Sequence, residues 1–353
     1  MIAAENSKYI KDIYFETASE FLKAISYGGE LYEKFDENFI FRGHSSDKYK
    51  LLPQTQRKNI YDEVFPNSSY NKQHVMLAVS EYGQIEAEAE LLFNFYKKCD
   101  DAHLSVPNEK RLRESFHFPI DFRILLQHEN WIAEEYQELA ALAQHFGLAT
   151  RLLDWTTNIC VALYFASSSV LKKKATPERL TRYEWSERFK ADSEFLKTTK
   201  SLTKIEERME IWALDKRVQF ADKKLTIPLR FVRPCYYNNP NLAAQKGILT
   251  YWQVRKPLTK SKEDGQTIPD FSVLRIDSSI DTLITEYLLS NNVEEHTFMY
   301  RISLPHSTAI ELYKFAKHNH CDASHLFPGY SGVARCMEED RYMKVLVNNN
   351  KKV

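Results

Sequence analysis

Glycine is scarce in this chain, with 9 residues in 353, and proline numbers only 12. Neither count supports a fibrous or low-complexity class. A dominant charge is also lacking. Lysine plus arginine number 48 and aspartate plus glutamate number 48, so the formal net charge is zero. The whole-molecule field gives no pull toward nucleic acid or an anionic membrane, and an anion site has to be a local basic groove. No run of about 18 apolar residues occurs, so no segment is expected to span a membrane. Met1 to Lys11 has no basic stretch leading into an apolar run, so no secretory signal is read there. The five cysteines, Cys99, Cys160, Cys235, Cys321 and Cys336, are scattered and form no Cys-x-x-Cys pair. That speaks against a zinc ribbon or redox motif and for free thiols in a reducing compartment. The expectation is a cytoplasmic protein with no membrane partner.

Familiar chemical signatures are missing as well. There is no Gly-x-Gly-x-x-Gly, Walker A, Gly-x-Ser-x-Gly or kinase set, and no His-x-x-x-His or His-Glu-x-x-His pairing. His318, His320, Cys321 and His325 do cluster after an expected helix. A polar helix end is the simpler reading of that cluster, and no metal is expected.

What the chain does have is apolar mass, with 43% hydrophobic and 13% aromatic residues. That is enough for one large domain or two ordinary ones. Its densest polar stretch runs from Gln144 through His145, Gly147, Thr150, Arg151, Asp154, Trp155, Thr156 and Thr157 to Asn158, with helix-like apolar patterns on both sides. Polar groups at a junction of buried elements are costly unless they satisfy one another or a ligand.

Periodicity sets the surroundings. Thr17 to Gly28 reads as a helix and Asn38 to Phe41 as a short strand, followed by a loop from Arg42 to Asp47. Pro66 to Ser69 reads as a turn. One long helix is expected from about Val75 to Lys98, a loop over Asp100 to Arg113, and a helix from Trp131 to Phe146 that ends at a left-handed Gly147. Ile159 to Ala166 is apolar nearly all round, as in a buried helix. Lys172 to Arg208 is highly polar and reads as an insertion with one or two exposed helices. Further strands are expected at Ile211 to Leu214, after Gln245, and at Phe298 to Ile302, with a helix from Pro305 to Lys317 and a helical stretch through Cys336.

Several residues allow two readings. Arg42 follows an apolar strand and precedes Gly43, which suits a bidentate phosphate grip, or else an ion pair with a buried carboxylate such as Asp154. His145 either faces a pocket beside Gln144 or simply favours the helix C-terminal dipole. His44 is a lesser candidate. Asp154 to Asn158 can cap the next helix and can also place a helix N-terminus toward an anion, two readings that are not exclusive.

Two separated motifs carry a resemblance. Phe41-Arg42-Gly43-His44, with Tyr49 and Leu51-Leu52-Pro53, and Gln144-His145-x-Gly147-Leu148-x-Thr150-Arg151-Leu152-Leu153-Asp154-Trp155-Thr156 look like the FRG domain family, named for its Phe-Arg-Gly triplet. Asn241 to Thr250 also fits the family pattern. On this basis residues 1–35 are a helical lead-in and 36–255 an FRG-like core with 172–208 inserted. Residues 256–353 are a C-terminal α/β extension packed on that core.

The order of motifs also resembles the arginine-type ADP-ribosyltransferase fold. There Arg42 is the first motif, Thr156-Thr157 with Val161 to Ala166 the second, and Gln245-Lys246-Gly247 the third. The resemblance implies an α+β, split-sheet core with flanking helices. It implies NAD as substrate, with Arg42 on the pyrophosphate and Thr156 at the nicotinamide ribose. Gly43, His44, Gln144, His145, Thr150, Arg151 and Trp155 would complete the cofactor-binding surface. The third motif should supply a glutamate that stabilises an oxocarbenium-like cation, but Gly247 stands at that position. Asp154 is the substitute, with Glu210 as the other candidate, and the expected catalytic set is Asp154, Arg42 and Gln245. The implied function is an NAD-dependent effector, as in a toxin or phage-defence component. It would modify a nucleic-acid or protein acceptor, or hydrolyse NAD, and pair with a regulatory or antitoxin protein. The alternatives are a non-catalytic nucleotide- or peptide-binding sensor, and a phosphate-handling enzyme such as a nuclease built on Arg42, His145 and Asp154.

Overall fold

Aromatic and branched residues at alternating positions build the centre of the molecule. The computed structural model describes residues 8–66, 72–115, 128–175, 207–234, 236, 239–261 and 265–350. Its strands are β1 (Ile10–Tyr14), β2 (Phe39–His44), β3 (Asn130–Trp131), β4 (Leu153–Thr156), β5 (Arg208–Asp215), β6 (Leu229–Val232), β7 (Gly247–Trp252), β8 (Val254–Arg255), β9 (Leu258–Lys260), β10 (Thr267–Pro269) and β11 (Met299–Pro305). Seven of them form one mixed sheet in the order β1-β11-β5-β2-β4-β7-β6. Only β1 and β11 run parallel. The other four form two short ribbons, β3 with β8 and β9 with β10. The chain is therefore of the α+β class, with helices on both faces of a mixed sheet.

Alternation along β2 assigns those faces. Phe39 and Phe41 join the core beneath helices Ala18–Ile25, Ile159–Ala175 and Ala309–His318, while Ile40 joins the opposite core with Leu51, Leu153, Trp155, Trp212 and helix Ile280–Ser290. A third core links helices Glu81–Asp101 and Glu134–His145 to Leu249 and Tyr251 of β7. Each fully buried aromatic or aliphatic side chain contributes about 1.5–3 kcal/mol relative to exposure.

The sheet is almost divided in two at one place. Between β2 and β4 a single residue pair, Phe41 with Thr156, faces across, whereas β2 and β5 match over six pairs. Past Phe41 the two strands diverge and leave a notch.

Local signals were faithful at several helix ends. Thr17 and Glu20 form a reciprocal capping box at Ala18–Ile25. Gly147 closes Glu134–His145 with φ +92°, the left-handed conformation expected there. Asn158 caps Ile159–Ala175 by accepting from the Cys160 amide at 3.0 Å.

Other expectations require correction. Arg42, Gly43 and His44 continue β2 instead of starting a loop. The long helix from about Val75 is two helices, Lys72–Val79 and Glu81–Asp101, divided where the Ser80 hydroxyl accepts from the Gly83 amide. Trp131 lies in β3, before its helix, and Glu109–Ser115 is helical within the expected loop. The last helix, Tyr330–Asn350, runs well past Cys336. The N-terminal lead-in supplies β1, and the last hundred residues supply β11, inserted between β1 and β5. Both segments are thus part of the central sheet. The expected turn at Pro66 to Ser69 falls, apart from Pro66, outside the described residues, as do positions 176–206 of the polar insertion.

Candidate functional site

The notch between β2 and β4 opens into a cleft of about 990 Å³. A volume of that size lies at the upper end of the range for small-molecule sites. Of the eleven residues singled out from sequence, Arg42, Gly43, His44, Gln144, His145, Asp154, Trp155, Thr156 and Gln245 line it. Thr150 and Arg151 are not among its lining residues.

Arg42 fills the apex of the notch. Its Nη1 donates to the Asp154 carbonyl oxygen at 2.6 Å, and its Nε donates to His44 Nε2 at 3.0 Å. Nη1 also lies 3.8 Å from the Asp154 carboxylate. Burial lowers the pKa of the guanidinium, while Asp154 supports its charge and Arg57 opposes it. The ion-pair reading of Arg42 is therefore present in the geometry. It coexists with exposure to the cleft, because the Arg42 side chain stays 18% exposed. His44 is pushed down to about 3 by burial and by the nearby Arg42 and Arg57, so it is neutral and able to accept from Arg42.

Gly43 has a packing role. A Cβ there would lie 2.0 Å from the Ala162 carbonyl oxygen, so its bare Cα is what lets β2 press against helix Ile159–Ala175. This replaces the loop expected there from sequence.

Asp154 is held from the other wall. The Thr150 hydroxyl donates to Gln144 Oε1, and Gln144 Nε2 donates to Asp154 Oδ1 at 2.6 Å. Thr150 thus orients Gln144, which orients Asp154. The Asp154 side chain remains 64% exposed to the cleft. His145 lies beside Asn241, with Nε2 at 3.3 Å from the side-chain amide, and burial lowers its pKa although Asp154 works the other way.

Two motif residues belong to the interior. Arg151 is buried at 1% exposure and donates to Glu88 at 2.6 Å and Glu81 at 2.9 Å. Glu88 also accepts from the Trp131 indole at 2.6 Å and the Thr55 hydroxyl at 2.8 Å. Burial opposes the Arg151 charge, but Glu88 and Glu81 overcome it and raise its pKa. Arg151 is therefore a structural ion, which corrects its assignment to a cofactor. Trp155 points into the core, with its indole donating to Thr250 Oγ1 at 2.8 Å, so only its strand position borders the cleft.

Thr156 and Gln245 meet, through bonds to main-chain carbonyls. The Thr156 hydroxyl donates to the Gln245 carbonyl at 2.7 Å, and Gln245 Nε2 donates to the Leu326 carbonyl at 3.1 Å. Gly247, where the ADP-ribosyltransferase resemblance expects a glutamate, pairs with Thr156 inside the sheet. A Cβ there would meet Leu242 Cδ1 at 2.2 Å, so a side chain at this position requires Leu242 to move. Glu210 sits on β5 opposite His44 and is absent from the cleft lining.

Sequence reasoning missed the cations. Lys48, Lys50, Arg57 and Arg335 line the cleft together with Arg42, against Asp154 as the single acid in the lining. In a chain with zero net charge, this is a strongly local excess. Lys48-Tyr49-Lys50 directly follows the Arg42 segment and was visible as a basic triplet. Arg335 had no sequence signal, because it comes from the last helix. The histidine cluster resolves differently: His325 pairs with Asp322 at 2.7 Å, and Cys321 is buried. Among the described residues, no three His, Cys, Asp or Glu side chains are placed to hold a metal.

Comparison with known proteins gives one match. The family model described as "FRG domain" covers residues 37–175, which takes in β2, the Gln144–Asn158 motif, β4 and helix Ile159–Ala175. No curated protein and no solved structure matches the chain. The two strands that frame the notch, and the motif residues they carry, thus lie within the stretch that matches the FRG domain model, residues 37–175.

Proposed function

We propose that the cleft binds a phosphate-bearing nucleotide, and that the chain acts as an NAD-binding, ADP-ribosyltransferase-like effector with the corresponding split-sheet fold. One observation carries the reading: five cationic side chains and a single carboxylate line a cleft at the divergence of two strands, in a chain of zero net charge. Clustered arginines and lysines in a half-enclosed site favour phosphate oxygens, and arginine does so in bidentate fashion. Arg42 is the phosphate ligand at the apex of the notch. Asp154 is the one acid available in the lining to stabilise positive charge on a ribosyl carbon as the nicotinamide leaves. Transfer to a nucleic-acid or protein acceptor, or to water, would complete the reaction, and such NAD consumption fits a toxin or phage-defence effector.

A second reading, a nucleotide-binding sensor without turnover, is favoured by one feature. Leu242 occupies the space a glutamate at position 247 would need, and Asp154 is already engaged by Gln144 and Arg42. Labelled NAD separates the two. Incubation with single-stranded nucleic acid or lysate protein should give labelled acceptor or free nicotinamide, and Asp154→Asn should abolish both. Thermal stabilisation by NAD without product would establish the sensor. An absence of both product and stabilisation would overturn the nucleotide reading.

A further inference from the structure

The cleft is lined by residues that belong to both faces of the sheet, and the two groups differ in chemistry. On one side, the segment after β2 brings Lys48, Lys50 and Arg57, and it is anchored by Leu51 in the core shared with Ile40 and Trp155. On the other side lie Phe165, Phe327 and Arg335, from helix Ile159–Ala175 and the C-terminal segment, packed with the core that holds Phe41. Arg42 stands between them at the notch.

The second end is a pre-built flat surface. The Arg335 guanidinium lies 4.5 Å from the centroid of the Phe327 ring. Phe165 meets Phe327 edge-on, with centroids 6.2 Å apart and planes at 89°. Arg335 does not have to be ordered by a ligand. Its Nε donates to Glu339 at 3.2 Å, and Glu339 is itself buried and accepts from the Tyr164 hydroxyl at 2.6 Å and the Tyr313 hydroxyl at 2.9 Å. The pinned guanidinium still leaves the side chain 43% exposed. A planar cation stacked on a ring and open to a cleft is a stacking surface for a heteroaromatic base.

We infer that Phe165, Phe327 and Arg335 form the base subsite of this cleft, so that a bound nucleotide threads the notch with its phosphates toward Arg42, Lys48, Lys50 and Arg57 and its ring system against Arg335. The inference rests on the reading of the cleft as a nucleotide site and adds where the base goes. It also assigns specificity to the last helix, which lies beyond the FRG domain match. The phosphate end comes from the FRG domain and the base end largely from the C-terminal segment. Charge alone does not account for this division, because a phosphate cluster has no use for aromatic rings.

Titration calorimetry with NAD, ADP-ribose and inorganic pyrophosphate tests it on the full chain. Arg335→Ala should weaken NAD or ADP-ribose about tenfold, the worth of one stacked base, and leave pyrophosphate within about twofold. Arg335→Lys keeps the charge and the ion pair to Glu339 but not the flat face, so it should fold normally and still show most of the loss. Arg57→Ala should weaken all three ligands alike. Equal weakening of pyrophosphate by Arg335→Ala, or unchanged NAD binding in both Arg335 variants, would overturn the subsite while leaving the nucleotide site standing. Failure of the wild-type chain to bind any of the three ligands would overturn both.

Discussion

The Arg42 guanidinium crosses the gap between β2 and β4 and donates to the main-chain oxygen of Asp154 at 2.6 Å. A side chain here takes the place of ladder hydrogen bonds that the diverging strands do not make. Arg42 is consequently both part of the sheet and part of the cleft. Arg42→Ala should cost about 1–3 kcal/mol in chemical denaturation as well as nucleotide affinity. Arg42→Lys, which keeps charge but not the fork, should recover little of either. Unchanged stability in Arg42→Ala would show that the Asp154 contact contributes nothing to the fold.

Gly43 should resist even the smallest side chain. Its Cβ would lie 2.0 Å from the Ala162 carbonyl oxygen and 2.9 Å from the carbonyl carbon, both main-chain atoms that cannot rotate away. Gly43→Ala is expected to separate β2 from helix Ile159–Ala175 and lower stability by about 1–3 kcal/mol or more. A melting temperature equal to wild type would contradict this.

The Arg151 ion cluster separates stability from binding. Glu88→Ala leaves the buried Arg151, the Trp131 indole and Thr55 without their shared acceptor. It should destabilise the protein by about 3–5 kcal/mol. Because Arg151 is not in the cleft lining, the fraction that remains folded should bind nucleotide with unchanged affinity. A specific loss of affinity in folded Glu88→Ala would return Arg151 to the ligand site.

Glu210 predicts a pH dependence. Burial pushes its carboxyl up to about 7, against Arg301 and the hydrogen bond from Trp212, with Asp47 and Asp12 adding to the rise. The folded state therefore holds this proton more tightly than the unfolded chain. Its contribution is complete below the ordinary pKa of 4.5 and is lost as pH rises through 7. Glu210→Gln should remove that loss, gaining about 2–3 kcal/mol relative to wild type between pH 4.5 and 7.5. His44, held near 3, acts in the opposite direction as pH falls below 6.5, but it is present in both proteins and cancels in the comparison. Parallel stability profiles for the two proteins would refute a buried, protonated Glu210.

Much of the local structure was legible because its causes are local. The Thr17–Glu20 box, the left-handed Gly147 and the Asn158 cap are each settled within a few residues. The two motifs that match the FRG domain model could likewise be read directly, and eight of the ten residues chosen from them line one cleft, with Gln245 as a ninth from a third segment. The errors came from neighbours in sequence that part company in space. Arg151 and Asp154 are three residues apart, yet one is buried among carboxylates and the other projects into the cleft.

The sequence by itself determined the helix ends closed by Thr17, Gly147 and Asn158, the buried helix after Asn158 and the two motif segments, since backbone conformation and short-range hydrogen bonds depend on adjacent residues. Only the tertiary structure decided which polar groups became core and which became site. That choice depends on partners far along the chain: Glu88 and Glu81 for Arg151, Ala162 for Gly43, and Lys48, Arg57 and Arg335 for the charge of the cleft. A strand sends successive side chains to opposite faces, and what covers each face is fixed only when β2 and β4 meet at Phe41 and Thr156 and then diverge.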